Sequence, residues 1–189
     1  TAETASVFGE MLTFQRLLQR DSEPRARLAL LCGKIEDSFA TVFRQVVLTR
    51  FEQALHKARR EEGELALEHV NELWLAANQA MFADSLQLSE GYACWWMYIG
   101  HFIHSPFYCY AYAFGELLVL ALVRKYQETG PEFVPKYLEM LSAGGSESPP
   151  NLLAKMGLDI RDPQFWELGL RLLGDMVTQA EELVPAAGM

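Results

Sequence analysis

Apolar residues recur every three or four positions along most of this 189-residue chain, which is the spacing that places them on one face of an α-helix. No stretch alternates apolar and polar residues with the period of two that a half-buried strand shows. Half of the residues are hydrophobic, enough to build the core of one domain over residues 1–189. The pattern therefore predicts an all-α fold, a helical segment with no substantial sheet.

Capping residues, prolines and glycines divide the pattern into separate helices. Gly144-Gly145 follows one of them, either as its C-terminal cap or as a flexible loop. Residues 84–106 are less regular. The predicted helices cover residues 3–19, 23–60, 67–83, 107–127 and 131–141, a short segment after Ser148-Pro149-Pro150, and a last helix opened by Asp162-Pro163 whose apolar face is Phe165, Trp166, Leu170, Leu173, Val177, Ala180 and Leu183.

The apolar run over residues 106–123 raises the alternative of a membrane span. A spanning helix needs about 20 apolar residues, and a carboxylate at mid-depth costs about 2.5 kcal/mol or more. This run carries Glu116 near its middle. We therefore predict a buried helix here and no membrane partner.

Charge and cysteine content narrow the classes of partner and compartment. The formal net charge of −9 argues against nucleic acid, which needs a basic face, and against an anionic membrane surface. Three cysteines, Cys32, Cys94 and Cys109, form no disulfide framework and show no metal-ligand spacing. Reduced thiols in apolar surroundings and the lack of an apparent signal peptide favour a cytoplasmic protein.

The aromatic stretch around residues 101–112 holds the densest set of candidate functional groups. His101 and His104 are three apart, so on a helix they share a face and suit either a metal ion or a polar pocket in which both are satisfied. Tyr108, Tyr110 and Tyr112 alternate by two, which on one helix spreads them over roughly 200°. They cannot all enter one core, so either one reaches a polar cleft or all pack at the rim of the core.

The first predicted helix carries two carboxylates two turns apart. Glu3 and Glu10 lie on one helical face with Ser6 beside them. Such a pair is common on solvated faces, but the neighbouring residues are mostly apolar. Both interpretations stand: a water-facing surface, or carboxylates that belong to a metal site.

Three stretches together carry a family resemblance that covers essentially the whole chain. The chain resembles the C-terminal part of oligoendopeptidase F, in the thimet oligopeptidase family of zinc metallopeptidases. The stretches are E-T-A-S-V-F-G-E from residue 3, G-H-F-I-H-S-P-F-Y-C-Y-A-Y-A-F-G from residue 100, and Y-L-E-M-L-S-A-G-G-S-E-S-P-P-N-L-L-A-K-M-G-L-D from residue 137.

The resemblance implies a zinc-dependent endopeptidase and gives the first helix a role. In that family the helix with the pattern E-x-x-S-x-x-x-E supplies the third protein ligand of the zinc ion, which implies Glu3. Its second carboxylate, here Glu10, supports the site from behind the ligand. The substrates implied are short peptides, whose internal peptide bonds the enzyme hydrolyses.

The resemblance also implies that the aromatic stretch is an active-site wall. The family's histidine that lines the substrate and steadies the oxyanion corresponds to His101, with His104 as the alternative. The family's tyrosines correspond to residues among Tyr108, Tyr110 and Tyr112, of which Tyr110 is the first choice as oxyanion donor.

One departure from the family pattern concerns the H-E-x-x-H motif, which supplies two zinc ligands and the general base. No His-Glu dipeptide occurs in this chain. We expect the motif upstream of Thr1, in a missing N-terminal part that acts as a partner of this segment. We also expect the chain alone to hold zinc weakly, to be inactive and to self-associate. The alternative is a non-catalytic helical domain that binds peptides or serves as a scaffold.

Overall fold

The computed structural model of the protein describes residues 3–188, and within that range every regular element is a helix. The predicted all-α fold is confirmed. The α-helices in chain order are α1 (Thr4–Arg20), α2 (Pro24–Ser38), α3 (Arg44–Glu62), α4 (Leu67–Phe82), α5 (His101–His104), α6 (Tyr110–Thr129), α7 (Phe133–Ala143), α8 (Pro149–Lys155) and α9 (Pro163–Leu183). A π-helical turn occupies Phe39–Phe43, and 3₁₀ turns occupy Glu90–Tyr92, Trp95–Tyr98 and Gly130–Glu132.

The helices form two compact units. The first unit comprises Thr1–Ser38 and Phe114–Met189, and the second comprises Phe39–Ala113. In the first unit α2 packs along α9, and in the second α3 packs along α4. Each unit has its own cluster of buried apolar side chains.

The centre of the first unit is the apolar part of α6. Six consecutive residues, 118–123, are at most 2 % exposed, so this part of the helix is covered on every side. Around it pack Phe8 of α1, Phe133 and Tyr137, with the Phe8 and Tyr137 rings 4.4 Å apart between centroids. The prediction of a buried helix at this place is confirmed. No helix in residues 3–188 is both long enough and apolar enough to cross a membrane.

The predicted apolar face of α9 is partly wrong. Leu170 and Val177 are exposed, whereas Gly169, Leu172 and Met176 are buried. Gly169 decides this orientation, because a Cβ atom there would lie 2.9 Å from the carbonyl oxygen of residue 117 and 3.2 Å from the Cβ of residue 120. The face of α9 that carries Gly169 therefore packs against α6. The start of α9 is as predicted, with the Asp162 side chain accepting from the Gln164 amide at 2.9 Å.

The core of the second unit is aromatic. Phe51 of α3 and Trp74 of α4 meet edge to face, with ring centroids 5.2 Å apart and both side chains almost fully buried. The Trp74 indole N–H donates to the backbone carbonyl of Tyr92 at 3.0 Å, which satisfies its one polar group. The irregular segment predicted for residues 84–106 is thereby held to α4.

The helix predicted from residue 107 begins later than expected. Phe107 has φ of 57°, a left-handed conformation that is unusual for a bulky residue, and α6 starts only at Tyr110. Tyr108 is therefore not on the helix, so the three tyrosines are not spread around one helix as predicted. The sequence contains no glycine at this turn, so the turn was not predicted.

Two smaller predictions also have clear outcomes. Gly144 ends α7 with φ of 54°, so the C-terminal cap is the correct interpretation of the glycine pair. The apolar surroundings predicted for all three cysteines hold for Cys109, which is buried, but not for Cys32 and Cys94, which are exposed.

Candidate active site

The first helix presents its carboxylates to the outside of the first unit. Glu3 lies at the N-terminal boundary of α1, and Glu3, Ser6 and Glu10 are all exposed while Thr4 and Phe8 on the opposite face are buried. Glu3, Ser6 and Glu10 therefore lie on one face of α1, as predicted. Within residues 3–188 the Glu3 carboxylate forms no ion pair, whereas Glu10 pairs with Lys34.

Lys34 ties Glu10 to the interior of the first unit. The Lys34 side chain is only 7 % exposed, and its Nζ lies 2.6 Å from Glu10 Oε1 and 3.8 Å from Glu116 Oε1. Ser38 Oγ donates to the same Glu116 oxygen at 3.2 Å. One ammonium thus neutralises a half-exposed and a buried carboxylate, and it fixes α1 against α2 and α6.

This lysine network was not predicted, although the sequence contains a signal for it. Leu28, Leu31, Lys34 and Ser38 form the buried stripe of α2, so two polar residues continue an apolar helical face. Glu116 is likewise the single charge in an apolar run. Polar residues on buried faces are costly unless they pair with each other, so these three were candidates for mutual contact.

The second unit brings together His101, Tyr108 and Tyr112. His101 Nε2 lies 3.1 Å from the Tyr112 hydroxyl oxygen. The His101 ring is parallel to the Tyr108 ring at 6.3 Å, and Tyr112 stands perpendicular to both, with centroids 5.7 Å from His101 and 5.6 Å from Tyr108. Tyr108 and Tyr112 are about half exposed.

Two other candidates lie outside this three-residue cluster. Tyr110 is 57 % exposed and makes no side-chain hydrogen bond within the described residues. His104 is on the same short helix as His101 and lines the neighbouring cleft, but no tyrosine hydroxyl pairs with it in residues 3–188. Within residues 3–188, His101 and Tyr112 are therefore the histidine and tyrosine of this stretch that contact each other through polar atoms.

A buried carboxylate holds the turn that positions Tyr108. Glu52 of α3 is fully buried and accepts from the Phe107 backbone N–H at 2.8 Å. Burial, and secondarily the charge of Glu52, raise the pKa of the Cys109 thiol above its ordinary value. Cys109 therefore remains a protonated thiol that packs in the core beside Glu52, and it does not act as a nucleophile.

A cleft of about 710 Å³ opens beside the cluster. Its lining includes His101, His104 and Tyr112 from the aromatic stretch and Arg44 and Gln45 from the start of α3. Its volume falls in the range of about 300 to 1,000 Å³ typical of sites for small ligands. It is therefore large enough for a few residues of an extended peptide.

The described residues by themselves do not make a catalytic zinc site. A catalytic zinc ion takes about three protein ligands and a water molecule. Within residues 3–188 no three His, Cys, Asp or Glu side chains are grouped so that they could hold a metal ion. Glu3 offers one open carboxylate, and Glu10 is occupied by Lys34.

Comparison with known proteins decides the family. Residues 1–172 match the sequence profile of Peptidase family M3. The chain belongs to this family. The resemblance to oligoendopeptidase F, carried by the three stretches quoted above, is thereby confirmed.

The relatives of this M3 chain are bacterial oligopeptidases. It is 30% identical over 183 residues to "Oligopeptidase PepF" of Bacillus subtilis, a match that covers 97% of this chain and 27% of that protein. The plasmid oligoendopeptidase F of Lactococcus lactis subsp. cremoris is also 30% identical, with coverages of 97% and 30%. The crystal structure of oligoendopeptidase-F from Enterococcus faecium superposes with a TM-score of 0.89 at 26% identity, over 98% of this chain and 35% of that one.

This M3 chain therefore spans about three-tenths of the length of the curated relatives that it matches. The roles of Glu3, Glu10, His101, His104 and the three tyrosines stay predictions.

Proposed function

We propose that this chain is a segment of a zinc-dependent oligoendopeptidase that hydrolyses internal bonds of short peptides. The main support is the hydrogen-bonded pair of His101 and Tyr112 beside an open cleft, in a chain that belongs to peptidase family M3. The names of the relatives agree with this reaction, since they are called oligopeptidases and oligoendopeptidases.

The aromatic cluster supplies the Tyr112 hydroxyl as a hydrogen-bond donor for the oxyanion of the tetrahedral intermediate. Tyr112 and His101 already contact each other through polar atoms at 3.1 Å, so each restricts the orientation of the other. Tyr108 packs on both rings and limits their movement. When His101 Nε2–H donates to the Tyr112 oxygen, the Tyr112 O–H is free to donate to the oxyanion. A donor held in place in this way needs little reorganisation as charge develops and is typically worth about 3 kcal/mol at the transition state.

The first helix contributes a carboxylate to the metal. Zinc, when bound, activates a water molecule and polarises the scissile carbonyl. Glu3 is the one ligand that these residues offer, and Glu10 with Lys34 holds α1 so that Glu3 keeps its position. The remaining ligands and the general base belong to residues outside these 189, in agreement with the share of the relatives that the chain covers.

Zinc content and peptide hydrolysis of the full-length enzyme test this proposal. We expect Glu3→Gln to leave the protein folded while bound zinc and turnover both fall by about 100-fold, because the amide is a poor ligand. Glu167→Gln is the matched control, since Glu167 is exposed on α9. Unchanged zinc content and unchanged turnover in Glu3→Gln contradict the assignment. A full-length protein that binds no zinc and cleaves no peptide supports the scaffold alternative.

A further inference from the structure

The cleft beside the aromatic cluster has a charge opposite to that of its surroundings. The second unit carries five Lys and Arg residues against eight Asp and Glu residues, and the whole chain has a net charge of −9. Among the described residues that line the cleft, Arg44 is the one permanent cation, and no Asp or Glu is present. His101 and His104 add two groups that become positive on protonation.

Within the part of the chain that the structure describes, no carboxylate pairs with Arg44. It is half-buried at the first position of α3, and none of the ion pairs within residues 3–188 includes it. A guanidinium offers five N–H donors in a planar fork that matches a carboxylate. An arginine partly withdrawn from water without a partner is therefore ready to receive an anion from outside the chain.

The other polar groups of the cleft can bind the backbone of a peptide whose carboxylate contacts Arg44. Gln45, Ser105 and the Tyr98 hydroxyl offer neutral donors and acceptors to backbone amides. The cleft volume of about 710 Å³ allows a few residues rather than a folded domain.

We propose that Arg44 is a specificity-determining residue that binds a carboxylate of the peptide substrate, and that this carboxylate is the free C-terminus. The inference rests on the proposed function. It adds a substrate class to it: short peptides whose C-terminal end lies within a few residues of the scissile bond. An acidic side chain presents the same chemistry, and the experiment separates the two sources.

The test uses the full-length enzyme and two pairs of fluorogenic peptides. One pair differs only in ending as a free acid or as a C-terminal amide. The other pair is amidated and differs by Glu or Gln on the C-terminal side of the cleaved bond. Each peptide is assayed with wild type, Arg44→Gln and Arg50→Gln. Arg50 is the matched control, since it is exposed on the same helix and does not line the cleft.

We expect wild type and Arg50→Gln to show a KM about tenfold or more lower for the free acid than for the amide, because hydrogen bonds to charged groups contribute that much. Arg44→Gln should remove this preference by raising the KM of the acid while leaving the amide unchanged. A stronger effect in the Glu and Gln pair than in the acid and amide pair would overturn the assignment to the C-terminus.

Equal KM values for acid and amide in wild type, or a preference that survives in Arg44→Gln, would overturn the role of Arg44. If the full-length protein cleaves neither peptide, the proposed function fails instead. Fluorescence anisotropy of a labelled acid and its amide, measured on the same three proteins, then decides carboxylate binding by itself. Affinities that are equal for acid and amide would overturn it there.

Discussion

At the scale of single residues, the contact between His101 and Tyr112 separates the three tyrosines. In the full-length enzyme we expect Tyr112→Phe to lower kcat by about 100-fold with little change in KM, because a donor used only at the transition state affects turnover. Tyr110→Phe is the matched control, since Tyr110 lies outside the cluster. Steady-state kinetics on both variants give the comparison. A lower kcat in Tyr110→Phe alone would identify Tyr110 as the oxyanion donor, as the sequence analysis predicts.

Lys34 allows a second prediction at this scale, measured on stability. We expect Lys34→Met to lower the free energy of unfolding by about 3 kcal/mol, because the buried Glu116 carboxylate loses its counter-ion. Urea unfolding of the chain provides the measurement. Lys125→Met is the control, since Lys125 pairs with Glu128 at the surface and should contribute less than about 1 kcal/mol.

A double variant checks the cause of that loss. Adding Glu116→Gln to Lys34→Met removes the uncompensated charge, so the pair of changes should cost less than the sum of the two single changes. Additive losses would mean that the lysine acts only through its packing.

At the scale of elements, periodicity predicted most helices because their ends carry strong local signals. The Asp162 cap and Gly144 are examples, and each acts within a few residues of its own position. The turn at Phe107 depends instead on Glu52, which is 55 residues away along the chain. Local propensity contains no information about that contact, so the start of α6 and the surroundings of Tyr108 could not be predicted.

The approach of α9 to α6 gives a prediction for one element. We expect Gly169→Ala to cost about 2 kcal/mol of stability, because its Cβ would lie 2.9 Å from the carbonyl oxygen of Leu117. Gly174→Ala on the same helix should instead stabilise by about 1 kcal/mol, since its Cβ would meet no heavy atom within 4 Å apart from its chain neighbours and the backbone of its own helix. The two unfolding curves should shift in opposite directions. No loss of stability in Gly169→Ala would show that α9 moves to accommodate the methyl group.

At the scale of the whole molecule, the sequence predicted the fold class, and family membership is confirmed. The pairing of Glu3 with the histidine and tyrosines in one site rested on resemblance alone. Spacing relates residues on one helix, and Glu3 and His101 lie in different units of the structure. The same reason explains why Lys34 and Arg44 were missed, since their partners or cleft neighbours come from distant segments.

The exposed apolar residues of the second unit lead to a prediction for the chain as a whole. Tyr98 and Ile103 are 81% and 77% exposed, and Met97 is 58% exposed. We expect the isolated chain to self-associate, because exposed apolar groups favour contact with one another over contact with water. Sedimentation velocity measures this, and Ile103→Asp should shift the distribution toward the monomer. Gln53→Asp is the control, because it adds the same charge at an exposed polar position of α3. A compact monomer of the unmodified chain contradicts the prediction.

The left-handed turn at Phe107 constrains how this sequence can diverge over time. Glycine, asparagine and aspartate adopt positive φ at low cost, so related chains can carry them at position 107, whereas valine or isoleucine there would be selected against. The buried Glu52 accepts from the backbone N–H of residue 107 and not from its side chain. The side chain at position 107 can therefore be substituted without loss of this hydrogen bond, whereas the carboxylate at position 52 cannot. The turn that positions Tyr108 therefore depends on Glu52 of α3. Among related sequences, substitutions should be more frequent at position 107 than at position 52.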